Sequence, residues 1–140
     1  MTSAFDLERF TAAQSPVWES VVQELRAGRK ETHWMWFVFP QLASLGRSST
    51  AKHYGLSGLA EARAYLAHPL LGPRLRQVCE VLLQMPPTAA TEIFGEVDAM
   101  KLRSCLTLFA AASPQEDVFA RCLERYFGGA PDTLTLQQVG

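Results

Sequence analysis

The sequence predicts an all-α fold, a compact single-domain bundle of about seven short helices. Apolar residues recur at spacings of three and four along most of the chain, which is typical of helices with one buried face. No good pair of strand candidates is found. The length of 140 residues suits one domain, and 48% hydrophobic with 19% charged residues is typical of a chain with its own core. We therefore expect one domain over residues 1–140, with loose ends at 1–4 and 137–140.

The first helix with clear boundary signals lies near the N-terminus. Ser15-Pro16 is typical of an N-cap and first turn, and Gly28 can end the helix. Its apolar stripe consists of Val17, Trp18, Val21, Val22 and Leu25. A later helix has a stripe formed by Leu75, Val78, Cys79 and Leu82. Pro86-Pro87 must end this later helix, and its start stays open because Pro69 and Pro73 each suit a first turn.

Two further helices have start and stop signals. Asp98 can cap the first, and Ser113-Pro114 can open the second, which Gly128-Gly129 can end. The apolar face of the first consists of Leu102, Cys105, Leu106 and Phe109. The face of the second consists of Val118, Phe119, Cys122, Leu123, Tyr126 and Phe127. Shorter helices are expected at residues 7–13, 59–67, 88–94 and 133–139.

The segment from His33 to Pro40 interrupts this pattern, because six consecutive apolar residues hide any period. Its aromatic content favours a strand. A lone strand would leave its backbone N–H and C=O groups without partners, so we predict a short buried helix that ends near Pro40. Residues 41–49, which contain glycine and serine, are expected to form an exposed loop.

The composition of the chain limits its expected partners and its expected cellular location. Thirteen Lys and Arg against fourteen Asp and Glu give a net charge of −1, which disfavours nucleic acid and anionic membranes as partners. No stretch approaches the roughly 20 apolar residues of a membrane span, and the first residues lack a secretion signal. The three cysteines, Cys79, Cys105 and Cys122, sit in apolar stripes and show no paired spacing. Since this suits a core in a reducing compartment, we expect a cytoplasmic protein.

Several separated motifs occur in the order of one known family. They are His33 to Leu42, Gly46-Arg47-Ser48, Ala62 to Leu66, Leu71 to Leu75, Ile93-Phe94-Gly95 and Lys101 to Ser104. On these motifs the chain resembles the bacterial domain-of-unknown-function family 1810, roughly from Phe5 to Leu136. The resemblance implies a small all-helical cytoplasmic domain, and it brings no established activity or catalytic residue. A calpastatin label sometimes given to such sequences does not fit, because calpastatin is a disordered protease inhibitor and this chain is rich in core-forming residues.

The first candidate site consists of His33, Trp34, Trp36 and Arg47. Indole rings can stack on a flat ligand ring, and Arg47 can pair with a phosphate or a carboxylate. His33 can act as a general acid or base near neutral pH and is the candidate catalytic residue. The alternative is that both indoles belong to the core and that His33 caps a helix.

The second candidate site lies on the helix that follows Asp98. Lys101 and Ser104 are three residues apart and share one face, whereas Arg103 and Thr107 share another. A partly buried lysine near a helix N-terminus can hold an anion. The alternative is an N-cap at Asp98 followed by ordinary solvated cations.

A third, weaker cluster consists of Arg47, Lys52, His53 and Tyr54. Basic residues beside a tyrosine can bind phosphates or single-stranded nucleic acid, but the nearly neutral net charge argues against nucleic acid, and a solvated loop is the favoured interpretation. The sequence has no GxxxxGK[ST], GxGxxG, GxSxG, HExxH or CxxC motif, and its three histidines are scattered. We therefore expect neither a metal nor a cofactor.

Two functions are consistent with these residues. The first is binding of a small anionic or nucleotide-like ligand, with or without catalysis, at one concave surface. Its residues would be Trp34, Trp36, Arg47, Lys101, Arg103 and Ser104. The alternative is a protein–protein interaction module without catalysis, in which Trp18 and Tyr65 are anchors if they lie outside the core. Burial of both Trp34 and Trp36 would favour the second function, and partial exposure in a pocket would favour the first.

Overall fold

The computed structural model describes residues 5–139, and its regular elements are helices. A 3-10 turn at Ala43–Leu45 lies between the third and fourth α-helices. The α-helices are α1 Glu8–Gln14, α2 Trp18–Arg26, α3 Met35–Val38, α4 Ser49–His53, α5 Leu59–Ala67, α6 Leu71–Gln84, α7 Ala90–Ala112, α8 Val118–Phe127 and α9 Thr133–Val139. The predicted all-α bundle is therefore confirmed, with nine helices in the described part of the chain instead of about seven.

Two predicted helix starts are wrong. Ser15 has helical backbone angles and its N–H donates to the Thr11 carbonyl, so it ends α1 and does not cap α2. Helix α8 begins at Val118, several residues after Ser113-Pro114. The Ser113 hydroxyl instead donates to the Glu116 carboxylate at 2.8 Å, which organises the turn before the helix. Both serines therefore belong to turns between helices.

Helix α7 is interrupted at Gly95, which has a φ of +80°. Glycine adopts this angle at little cost because it has no Cβ. Gly95 separates a short first segment, as the sequence predicted, from a longer segment that runs through Asp98. The prediction that Asp98 is an N-cap is wrong, because Asp98 lies inside α7 and its carboxylate bonds to lysine side chains.

One hydrophobic core connects the helices, and α7 packs against α5, α8 and α9 within it. Tyr65 is fully buried in this core, and its hydroxyl accepts a hydrogen bond of 2.9 Å from the Gln14 amide. Burial raises the pKa of Tyr65 above its ordinary value. Trp18 is half-buried, and its indole N–H donates to Gln77. Tyr65 is thus a core residue and cannot be an exposed anchor.

Two further expectations concern loose chain ends and membrane-spanning segments. Residues 1–4 and 140, predicted as loose ends, lie outside the described residues, whereas residues 137–139 belong to α9. Within residues 5–139, no helix combines the length and apolar character that crossing a membrane requires.

We expect all three cysteines to be inert toward thiol reagents in the folded protein. Cys79, Cys105 and Cys122 are buried. A hydrogen bond with Cys122 and burial raise the pKa of Cys79, and burial raises that of Cys105. An aromatic disulfide reagent should therefore label none in native buffer and three in concentrated guanidinium. Labelling in buffer much faster than global unfolding would contradict this packing.

Candidate functional site

An ion-paired cluster ties the connection between α2 and α3 to α7. The Asp98 carboxylate accepts hydrogen bonds from Lys30 Nζ at 3.0 Å and from Lys101 Nζ at 3.1 Å. Lys30 Nζ lies 5.1 Å from the ring centroid of Trp34, and Lys101 Nζ lies 3.8 Å from that of Trp36. Both are cation–π contacts. We refer to these five residues as the Asp98 network.

The surroundings of Asp98 favour its ionised form. Burial alone would raise the pKa of this carboxyl, but hydrogen bonds from Lys30 and Lys101, together with their charges, lower the pKa below its ordinary value. Because two ammonium groups face one carboxylate, the network carries a net positive charge.

Glu24 on α2 holds the connection that leads to α3. Its carboxylate accepts hydrogen bonds of 2.7–3.0 Å from the N–H groups of Glu31 and Thr32, the Thr32 hydroxyl and the Trp34 indole N–H. Burial alone would raise the pKa of Glu24, but these four bonds outweigh it and lower the pKa to about 2. Trp34 is 1% exposed, so its ring is a fixed part of the core and is not available to a ligand.

A groove beside the Asp98 network is formed by segments that are distant in the sequence. Trp36 comes from α3, Val97 and Lys101 come from α7, and the other wall is built from residues 41–55. Its volume of about 350 Å³ is within the range of small-ligand sites. We refer to it as the cationic groove, lined by Trp36, Gln41, Leu42, Leu45, Gly46, Arg47, Ser48, Ala51, Tyr54, Gly55, Val97 and Lys101.

Arg47 supplies the uncompensated charge of the cationic groove. It lies exposed just before α4, and its side chain makes no hydrogen bond or ion pair with any residue that the structure describes. Lys101 is mostly buried, with 19% of its side chain exposed, and is paired with Asp98. An anion in the groove would therefore meet one cation without a partner and a second that is already shared.

Two glycines allow the walls of the groove to pack closely. A Cβ on Gly55 would lie 2.3 Å from the Cα of Ala43, and one on Gly46 would lie 2.5 Å from the Cβ of Ala51. Both distances are far below van der Waals contact. The 3-10 turn, α4 and the segment that follows can therefore adopt this arrangement only with glycine at these positions.

Arg9 of α1 fixes the far edge of the same wall. Its guanidinium donates to the carbonyls of His53 at 2.8 Å and Gly55 at 2.9 Å, and it pairs with the Glu61 carboxylate at 3.1 Å. The Arg9 and Glu61 side chains are 11% and 6% exposed, so solvent screens this pair weakly. The short segment after α4 is thereby attached to α1 and α5.

The structure brings three of the predicted site residues into the cationic groove: Trp36, Arg47 and Lys101. Trp36 is half-buried in the groove, whereas Trp34 is part of the core. Ser104 is buried and donates to the Met100 carbonyl at 3.2 Å, and it lines a neighbouring groove.

Two other predicted residues lie apart from the cationic groove. His33 is exposed and lines neither this groove nor its neighbour. Arg103 donates to the Ala130 carbonyl at 2.8 Å and lies 5.8 Å from the centroid of the Phe127 ring. Arg103 therefore holds the connection between α8 and α9.

Sequence reasoning missed part of the groove wall. Residues 41–49 are not a simple exposed loop, because they contain the 3-10 turn and the first residue of α4, and Leu42 is buried. The overlooked signal was Ser48, whose hydroxyl caps α4 by accepting the Ala51 N–H at 3.0 Å. Of the third cluster, Tyr54 lines the groove with Arg47, whereas Lys52 and His53 are exposed and do not.

Metal-binding side chains do not cluster in the part of the chain that the structure describes. No group of three or more His, Cys, Asp or Glu residues is placed to hold a metal ion there. The lining of the cationic groove contains none of these four residue types. Its chemistry is that of arginine, lysine, amide and hydroxyl groups beside apolar walls.

Comparison with known proteins gives two matches. The profile of the family described as "Protein of unknown function (DUF1810)" matches residues 4–139. The chain is similar to the conserved hypothetical protein Rv1873 from Mycobacterium tuberculosis, whose crystal structure superimposes with a TM-score of 0.96. Sequence identity is 51%, and the match covers 98% of each chain. The comparison with curated proteins found no match.

Replacing Asp98 by asparagine should destabilise the protein in a pH-dependent manner. Because the folded-state pKa of Asp98 is lowered, its contribution to stability is present above the unfolded-state pKa and is lost as the pH falls through the folded value. At neutral pH we expect Asp98→Asn to cost about 1–3 kcal/mol, between the values for exposed and buried ion pairs.

Denaturant unfolding at several pH values measures this difference. The gap between wild type and Asp98→Asn should narrow below about pH 4. Asp117→Asn is the matched control, because Asp117 is exposed and makes no capping hydrogen bond. A gap that stays constant down to acidic pH would contradict the role of the carboxylate charge.

The close approach at Gly55 predicts that Gly55→Ala is destabilising by about 1–3 kcal/mol, because the new methyl group meets backbone atoms of Ala43. Gly58→Ala is the control, since a Cβ on Gly58 meets nothing within 4 Å. Thermal unfolding of both variants checks this. Equal melting temperatures for the two would show that the wall of the groove is loosely packed.

Proposed function

Because the chain belongs to the DUF1810 family of proteins of unknown function, we propose its function from the geometry of the cationic groove: it binds a small anionic ligand, nucleotides being one class to test. The family resemblance drawn from the sequence motifs is confirmed by the match over residues 4–139. The groove is the place where residues predicted from separate parts of the sequence converge.

The observation that carries this proposal is the position of Arg47 relative to Lys101. Both line one concave surface, and Arg47 makes no ion pair within the described residues. An exposed arginine fork at the edge of an apolar concavity is suited to bidentate recognition of a phosphate or carboxylate. Leu45 and Val97 add apolar contact area to the same concave surface.

We propose binding and not catalysis. Among the described lining residues, none is a histidine, cysteine or carboxylate that could serve as a general base or strong nucleophile. The Ser48 hydroxyl is used to cap α4. His33, the candidate acid or base, lies outside the groove and has no part in the proposal.

The alternative of a protein–protein interaction module receives less support. Its two expected anchors are Tyr65, which is fully buried, and Trp18, which is half-buried beside Arg74. The exposed aliphatic side chains near α9 are the remaining argument for it, and they adjoin the cationic groove.

A thermal-shift screen of the purified protein tests the proposal. Nucleotides, ADP-ribose, sugar phosphates and organic acids are the compounds of choice. A ligand at one hundred times its dissociation constant adds about 2.7 kcal/mol to the free energy of unfolding. For any compound that stabilises the wild type, Arg47→Ala should weaken binding about 10- to 100-fold, because a charge-assisted hydrogen bond is lost.

Arg121→Ala provides the matched control, since Arg121 is exposed on α8 and its loss changes the net charge equally. It should leave ligand affinity within about twofold of the wild type, as expected for a distant, screened charge. The proposal would be contradicted if Arg47→Ala left ligand affinity unchanged, or if Arg121→Ala weakened binding as much as Arg47→Ala does.

A further inference from the structure

A second groove adjoins the cationic groove and shares four lining residues with it: Gln41, Leu45, Val97 and Lys101. Its volume is about 310 Å³. Its apolar wall is formed by Leu45, Val97, Met100 and Leu134, and we refer to these four residues as the aliphatic wall. Lys101 therefore lies at the boundary between the cationic groove and the second groove with its aliphatic wall.

Three of the four residues of the aliphatic wall are unusually exposed for their types. Val97 and Met100 are each 69% exposed, and Leu134 is 58% exposed. They come from α7 and α9, which pack against each other, so the exposure belongs to one continuous surface. Grouped exposed apolar side chains mark binding surfaces more often than single ones do.

Two polar side chains of the second groove, Ser104 and Asp132, already have hydrogen-bond partners within the chain, and a third, the Gln41 amide, also lines the cationic groove. Ser104 donates to the Met100 carbonyl. The Asp132 carboxylate accepts hydrogen bonds from the N–H and hydroxyl of Thr135 at 3.0 and 2.5 Å. This compartment therefore offers a ligand apolar contact, and the nearby cations offer the charge recognition.

The environment of Trp36 favours an aliphatic ligand over an aromatic one. Lys101 Nζ lies 3.8 Å from the ring centroid and occupies that face of the indole. A nucleobase could stack on this face only after displacing the ammonium from both Trp36 and Asp98. The aliphatic wall itself contains no aromatic ring, and methionine and leucine side chains adapt readily to a flexible chain.

We propose that the ligand of this site is an anionic amphiphile: its head group is held by Arg47 and Lys101, and its aliphatic chain lies along Leu45, Val97, Met100 and Leu134. This inference rests on the proposed function and names its ligand class. It commits to a monomeric amphiphile in solution. Two kinds of complementarity support this inference: the cations of the cationic groove match the anionic head group, and the aliphatic wall matches the apolar chain.

Calorimetric titration with ethyl, butyl, hexyl and octyl phosphate, each kept below its micelle concentration, tests the inference. If the chain lies along the aliphatic wall, each added methylene should tighten binding about two- to fourfold until the wall is covered. Hexyl phosphate should bind more tightly than phenyl phosphate, which has the same number of carbon atoms.

Variants separate the head-group contact from the chain contact. Leu134→Ser and Met100→Ser should each reduce or abolish the gain with chain length, because each removes part of the aliphatic wall. Arg47→Ala should weaken all four phosphates by a similar factor and preserve the gain. Leu70→Ser is the control, because Leu70 is an exposed leucine that lies outside both grooves, immediately before α6.

Each outcome decides between the two proposals. Arg47-dependent binding of ethyl phosphate with no gain along the series would overturn the amphiphile and leave anion binding intact. A gain that survives both Leu134→Ser and Met100→Ser would place the chain elsewhere and also overturn it. Failure of every phosphate to bind at millimolar concentration would count against both proposals. The same holds if the protein binds anionic phospholipid vesicles in a sedimentation assay but none of the soluble phosphates.

Discussion

The pairing of one half-buried carboxylate with two lysines is the constraint on which the rest of this site depends. Asp98 would be costly to bury alone, and Lys30 and Lys101 compensate it from two different elements. Each lysine also lies on a tryptophan ring, so the ion pairs fix two aromatic positions. Because Lys101 is held on Trp36, the part of the groove that α3 and α7 form has a defined shape and charge.

The wall of the cationic groove that faces α3 and α7 is held in place by other contacts. It consists of a 3-10 turn and the short helix α4, which have little stability of their own. Close glycine contacts and the Arg9–Glu61 pair attach them to the bundle. Arg47 stands on this wall without a partner among the described residues, so one cation of the groove is fixed and the other is free to adapt to a ligand.

Local sequence patterns predicted much of the fold because helix stripes and stop signals are local. The predicted helices at 59–67 and 133–139 agree with α5 and α9 to the residue. The Asp98 network was not predictable in this way, since Lys30 and Asp98 are distant in sequence and no spacing rule relates them. Trp34 and Trp36 were grouped in one site, yet Trp34 immediately precedes α3 and Trp36 lies within it. Their side chains take different directions, so one indole lies in the core and the other lines the groove.

The position of Trp36 gives the protein a built-in optical reporter. Of the three indoles, Trp36 alone lines the cationic groove, and an ammonium group rests on its ring. The emission of an indole responds to nearby charge and to water, so a ligand that moves Lys101 or displaces water from the groove will change the spectrum. Trp34, enclosed and hydrogen-bonded to Glu24, supplies a nearly constant background. Occupancy of the site can therefore be followed without any label.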